Sequence, residues 1–328
     1  MDGPRLGPER RSATGRPSGN RSASLVSPPF FGEASVRRAA PQWRRVRICR
    51  FPLRCAIVAR IPASESDMSL FSTPFDPIRD TALVTGAGNG IGRAIAQALV
   101  GEGVRTVFAD VNAERVRTAI SASEKPELAV PWVGDLAELE TCDALLAVAH
   151  AALGEITHFV HSASPPRREA DHALAVDRRT WQQMHAVNLD AGFHLARELA
   201  KRLIAAKRPG SFLFLTSLHA GTPRNLPHYS TAKAGMAMLV KELAKTFGRY
   251  GIRVNALVPG AIAAGGFVAD PALARHIPLG RLGEAGDLAP MALAVLSNKL
   301  SGYVTGAAFV VDGGLSLTNW FEPPAFDE

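Results

Sequence analysis

Between residues 81 and 311, short apolar runs alternate with stretches whose apolar positions recur at helical spacing. The runs at 82–85, 104–109, 129–133, 157–161, 211–216, 252–258 and 307–311 have strand length. Most are apolar on both faces, as buried strands are. Helical patterns fill the intervals near 93–101, 112–123, 138–152, 178–206, 229–249 and 286–297. Strands alternating with helices predict a parallel sheet, and right-handed crossovers make it doubly wound. Ligands then bind outside the carboxyl ends of the strands. The expected class is α/β: a doubly wound parallel sheet of about seven strands with helices on both faces, forming one domain over 68–328.

The first 67 residues lack this pattern. They hold 13 Arg, no Lys and 5 acidic residues, whereas the remainder holds 24 basic and 25 acidic residues. The chain's net charge of +7 therefore belongs to the leader, and a neutral body gives no reason to expect nucleic-acid binding. A leader rich in Arg, Pro, Ser and Ala buries too little apolar surface to offset ordering entropy, so disorder is expected. Three readings of it are open: Met68 as the true initiator, an organellar transit peptide, or a basic tail for nucleic acid or membrane surfaces. The absence of Lys beside 13 Arg favours the first. No apolar stretch reaches the roughly 18 residues of a membrane span. Cys142 alone lies in the body, with Cys49 and Cys55 in the leader, which fits a reducing, cytoplasmic setting. No Cys/His cluster has metal-ligand spacing, so no metal site is expected.

The segment Thr85-Gly86-Ala87-Gly88-Asn89-Gly90-Ile91-Gly92 joins the first apolar run to the first helical pattern. A strand turning through glycines into a helix lets backbone N–H groups approach a pyrophosphate at the positive helix end. Gly86, Gly88, Asn89, Gly90, Ile91 and Gly92 are thus candidate cofactor contacts. The spacing is Gly-x3-Gly-x-Gly, with Ile91 where the commoner dinucleotide fingerprint places its third glycine. Asp110 ends the second run, 18 residues after Gly92. A carboxylate there accepts the adenosine ribose hydroxyls and repels a 2′-phosphate; a helix N-cap is its structural alternative. No basic residue lies in the Ala87-Gly88-Asn89 turn or directly after Asp110, so NAD is expected over NADP. Asp135 and Leu136, after the third run, hold the matching position for the adenine, with a loop cap as the alternative for Asp135.

Tyr229 and Lys233 stand at i and i+4, one above the other on a helix face. Ser217 closes the apolar run 211–216 at the carboxyl edge, twelve residues before Tyr229. Asn188 lies within a helical stretch, an unfavourable place for Asn unless its amide finds a partner. An ammonium beside a phenol favours the phenolate, which makes Tyr229 a usable general base.

These four residues, following the Thr-Gly-x3-Gly-Ile-Gly turn, resemble the short-chain dehydrogenase/reductase family. Ile252-Arg253-Val254-Asn255, Pro259-Gly260, Ser301-Gly302-Tyr303-Val304-Thr305-Gly306 and Val311-Asp312-Gly313-Gly314 extend the resemblance over residues 80–315. It implies a Rossmann-type fold in which Tyr229 exchanges the substrate proton and Ser217 holds the reacting oxygen. It further implies that Lys233 binds the nicotinamide ribose, Asn188 holds a water leading from Lys233 to solvent, and Ala163, Tyr229, Pro259, Gly260 and Ile262 contact the cofactor. Homotetramers are common in the family. The chain departs from the pattern twice. His161-Ser162-Ala163-Ser164 replaces the usual Asn-Asn-Ala-Gly, and Ala264 stands where a Thr often helps fix the cofactor.

The expected function is NAD(H)-dependent interconversion of a secondary alcohol and ketone, or of a sugar hydroxyl and lactone. Reduction of 3-oxoacyl-carrier-protein thioesters and non-catalytic NAD binding are the alternatives. Segments 165–170, 218–228 and 261–276 are expected to wall the substrate pocket, with a small, mobile lid over 261–267. His219 and His228 could touch the substrate or be satisfied locally, and Arg167 and Arg168 could attract an anionic one or simply be solvated.

Overall fold

The computed structural model describes residues 74–264 and 271–317. The leader, Met68, Cys49, Cys55 and the lid residues Gly265, Gly266 and Phe267 lie outside the described residues. Seven strands form one sheet: β1 (Thr81–Thr85), β2 (Arg105–Asp110), β3 (Ala129–Val133), β4 (His158–His161), β5 (Gly210–Leu215), β6 (Ile252–Pro259) and β7 (Ala308–Val311). Their order is β3-β2-β1-β4-β5-β6-β7, and every pairing is parallel. The order reverses between β1 and β4, the switch point at which doubly wound sheets open a crevice for ligands.

The helices are α1 (Gly90–Gly101), α2 (Ala113–Ser121), α3 (Leu139–Leu153), α4 (Arg178–His185), α5 (Ala191–Ala205), α6 (Pro227–Phe247), α7 (Ala285–Leu296) and the short α8 (Asn298–Ser301). Buried side chains from α3, α5 and α6 form one core against the sheet; those from α1, α2 and α7 form another. Every residue of β1, β4 and β5 is buried, whereas β3 and β7 at the two edges have exposed positions. The apolar runs on both faces of the central strands are thus explained by helices covering each side.

Local chemistry sets the helix starts. Asn89 accepts from Gly90 N–H at 2.7 Å to open α1, and Asn112 accepts from Arg115 N–H at 2.9 Å to open α2. Pro227 occupies the first position of α6, where its missing N–H costs nothing. The stretch expected as one helix over 178–206 is instead interrupted. A π-helical turn, Ala186–Asp190, separates α4 from α5. Among the described residues, no helix is long and apolar enough to cross a membrane.

Candidate active site

The glycine turn lies at the carboxyl end of β1. Gly86 has φ +67, and a Cβ there would come within 2.9 Å of the Ala163 backbone, just beyond β4. A Cβ on Gly92 would lie 2.3 Å from the Gly86 carbonyl oxygen. Side chains at these positions would close the turn against its neighbours, so the bare backbone suits close approach by a pyrophosphate. Asp110 is not the cap of α2, a role Asn112 fills. Its Oδ2 accepts from Gly88 N–H at 3.1 Å and its Oδ1 from Asn112 N–H at 3.0 Å. The carboxylate is thereby fixed beside the turn. Arg115, five residues on, brings its Cβ close to Gly88.

Gly134, after β3, donates its N–H to the Asp110 carbonyl at 3.1 Å, which brings Asp135 and Leu136 to the same edge. Asp135 is exposed and accepts from Ala137 N–H at 3.0 Å as a loop cap, and Leu136 is buried. On the other side, Pro259 ends β6, Gly260 N–H donates to Val311 carbonyl at 3.0 Å, and Ile262 bridges to Gly283. The polar residues of Ile252-Arg253-Val254-Asn255 have structural work. Arg253 donates to the carbonyls of Val295, Leu296 and Val304, and Asn255 Nδ2 donates to Val304.

Tyr229 and Lys233 sit on the first two turns of α6, and both are buried. Lys233 Nζ donates to the Leu215 carbonyl at 2.7 Å, tying α6 to the end of β5, and lies 5.6 Å from the Tyr229 ring centroid. Ser217 follows two residues after Leu215 and accepts from His219 N–H at 3.2 Å. The His219 ring packs edge-on against Tyr229 at 5.9 Å. Asn188 occupies the π-helical turn, fully buried, and its Nδ2 donates to the Met184 carbonyl at 2.9 Å and to Ser164 Oγ at 3.2 Å. Met184 packs in one small cluster with Tyr229 and Ala232. Asn188 Oδ1 is buried without a protein partner, an acceptor of the kind that ordered water satisfies. The fold thus gathers Asn188, Ser217, Tyr229 and Lys233 at the carboxyl edge of the sheet.

His161 was legible in the sequence only as a departure; its role is structural. Its position pairs with Thr85 across β1 and β4. Nδ1 accepts from the Thr85 hydroxyl at 3.0 Å, while Nε2–H faces the carbonyls of Val187 and Asn188 at 3.1 Å each. Thr85 Oγ1 in turn accepts from the N–H groups of Ser162 and Ala163. One imidazole therefore joins the glycine turn, the β4 end and the π-helical turn.

Burial dominates the electrostatics. It pushes the Lys233 ammonium down to about 7, with the charge of Arg167 acting in the same direction. His161 is pushed down to about 4 by burial and then by Lys233, which keeps it neutral. Burial likewise lowers His219 and His228, the latter opposed by Asp171, whose Oδ2 lies 3.8 Å from its Nε2.

A family model described as enoyl-(acyl carrier protein) reductase matches residues 86–316. An L-rhamnose 1-dehydrogenase (NAD(P)(+)) of Azotobacter vinelandii is 32% identical over 251 residues, covering 73% of this chain and 97% of that protein. A 3beta-hydroxysteroid dehydrogenase 1 of Eggerthella lenta is 35% identical over 258 residues, with 74% and 95% covered. Among solved structures, a 3-ketoacyl-(acyl-carrier-protein) reductase from Brucella melitensis complexed with NADH superimposes with a TM-score of 0.68 at 27% identity. It covers 74% of this chain and all of the other.

Proposed function

This chain belongs to the short-chain dehydrogenase/reductase family of oxidoreductases acting on CH–OH groups with NAD(P), and on that premise we propose an NAD-dependent enzyme that interconverts a secondary alcohol and a ketone, or a sugar hydroxyl and a lactone. The observation that carries the reading is the buried Lys233, one helical turn beyond Tyr229 and held at 2.7 Å by the carbonyl of Leu215, the last residue of β5 and two residues before Ser217. A buried ammonium is costly unless a charge it favours develops nearby.

The glycine turn and Asp110 fit a dinucleotide: Gly86, Gly88 and Gly92 leave no room for a Cβ, and a carboxylate stands beside the turn. When bound, NAD supplies the hydride acceptor. In oxidation, Tyr229 Oη takes the proton of the substrate hydroxyl, and Ser217 Oγ steadies the reacting oxygen by a hydrogen bond. Lys233 favours the deprotonated phenol and holds the nicotinamide ribose. Asn188, through the unpaired Oδ1, positions water that returns the proton to solvent. Reduction runs the same proton path backwards. Asp110 accepting the ribose hydroxyls supports NAD, with Asp135, Leu136, Ala163, Pro259, Gly260 and Ile262 completing the cofactor cleft. A homotetramer in the cytoplasm is part of the same proposal, checked by light scattering and localisation.

The test is nicotinamide absorbance with NAD or NADP and a panel of sugars, secondary alcohols and 3-oxoacyl thioesters. Turnover favouring NAD is expected. Turnover with NADP alone contradicts the cofactor assignment, and reduction confined to 3-oxoacyl thioesters contradicts the substrate class.

A further inference from the structure

Three residues of the segment that follows β4 reach across to one short stretch of chain, residues 224–229. Arg167 places its guanidinium carbon 4.6 Å from the centroid of the Tyr229 ring. Glu169 accepts from Arg224 at 3.1 Å. Asp171 Oδ2 lies 3.8 Å from His228 Nε2, and the same oxygen accepts from Arg168 N–H at 3.1 Å. His228 is fully buried, and neither of its ring nitrogens has a hydrogen-bond partner. Burial favours its neutral form, and a neutral imidazole beside a carboxylate turns its N–H toward it.

The first turn of α6 carries both His228 and Tyr229. That helix opens at Leu226 and Pro227 with no side-chain cap, and no acidic residue lies in its first turn. Its own sequence therefore supplies neither a cap nor a carboxylate there, and Asp171 brings one from another segment to the side of that turn. We infer that Asp171 and His228 are positioning residues for the reaction proposed above: by seating the segment after β4 on the first turn of α6, they hold the Tyr229 ring in place. Neither touches the reacting atoms. A base held loosely spends less time in the reactive geometry, so turnover falls even when every reacting group is present. This inference rests on the hydride-transfer reading of the same site and adds no chemical step.

The experiment compares D171N, H228F and H228Q with wild type and Y229F. D171N removes the charge but keeps an oxygen for Arg168 N–H; H228F keeps a ring without its N–H; H228Q restores an N–H near the reach of Nε2. The first readout needs no substrate: the rate at which tetranitromethane nitrates each tyrosine, resolved by peptide mass spectrometry. In wild type, Tyr303 and Tyr250, 105% and 42% exposed, should react ahead of Tyr229, which is 7% exposed. D171N and H228F should speed Tyr229 by about threefold or more against those two, and H228Q should stay closer to wild type. The second readout is kinetic, with whichever sugar, secondary alcohol or 3-oxoacyl thioester the wild type turns over. D171N and H228F should lower kcat by about threefold to tenfold, the scale of one hydrogen bond, with KM for NAD unchanged. Unchanged nitration overturns the inference whatever the melting temperatures, and so does faster nitration with unchanged kcat. If no compound is turned over, nitration alone decides, and D171N carries the test if H228F does not fold. Turnover retained in Y229F counts instead against the hydride-transfer reading and leaves the nitration result standing.

Discussion

His161 Nε2 lies 3.1 Å from the carbonyl oxygen of Asn188, and the same nitrogen lies 3.1 Å from that of Val187. The imidazole is fully buried and neutral, so it serves as a fixed donor on one side and a fixed acceptor for Thr85 on the other. Gly192, near the start of α5, leaves room for it: a Cβ there would lie 2.8 Å from His161 Cδ2 and 3.2 Å from Phe214 Cε1.

His161→Ala should therefore cost about 2–4 kcal/mol of stability, through lost packing and carbonyls left without their donor. Gly192→Ala should cost about 1–3 kcal/mol by overpacking the ring. The double variant should lose less than the sum, because removing the ring removes the clash. Denaturant midpoints of the four proteins check this. Strict additivity would mean that the two positions do not meet.

Burial of Lys233 makes a signed prediction about pH. Its native affinity for a proton, at about 7, is below the ordinary 10.5, so the unfolded chain binds more protons between these values. Stability from this group accordingly rises with pH across that window. Lys233→Met should abolish turnover. Measured against wild type, its relative stability should be greatest below pH 7 and decline toward pH 10.5. Melting curves of both proteins across pH provide the comparison, and a constant difference would contradict the assignment.

Asp110 holds Gly88 N–H and Asn112 N–H through its two oxygens, while Arg115 stands next to the same turn. Asp110→Ala removes the acceptor proposed for the ribose hydroxyls and the charge proposed to repel a 2′-phosphate, and leaves Arg115 beside the turn. The ratio of kcat/KM for NAD over NADP should fall by about tenfold or more, the worth of one charge-assisted hydrogen bond. An unchanged ratio would place cofactor selection elsewhere.

The parts of this molecule that the sequence made legible are those governed by local pattern. Leu83 and Val84 in β1, and Phe212 and Leu213 in β5, are apolar on opposite faces of their strands because helices cover both faces, so the parallel sheet could be read directly. Tyr229 and Lys233 could be paired because a helix fixes the i, i+4 relation. The π-helical turn at Ala186–Asp190 escaped, since one wide turn barely disturbs the apolar period of the stretch around it. The partnership of Thr85 with His161 escaped for another reason. It depends on β1 lying next to β4 in a particular register, a relation between positions 76 residues apart. Arg115 was hidden likewise, because the Asn112 cap folds α2 back toward Gly88.

In the proposed reaction Tyr229 moves the proton, while most of the cofactor cleft is built from other residues. Tyr229→Phe removes one oxygen from a ring already packed by Met184, Leu226 and Ala232, so the fold should persist. The decisive measurement is nicotinamide absorbance of this variant with NAD and any substrate the wild type accepts, together with NAD affinity by calorimetry. Turnover should be lost by about a hundredfold or more, the scale of a general acid–base contribution, with affinity for NAD nearly unchanged. Turnover close to wild type would contradict the account.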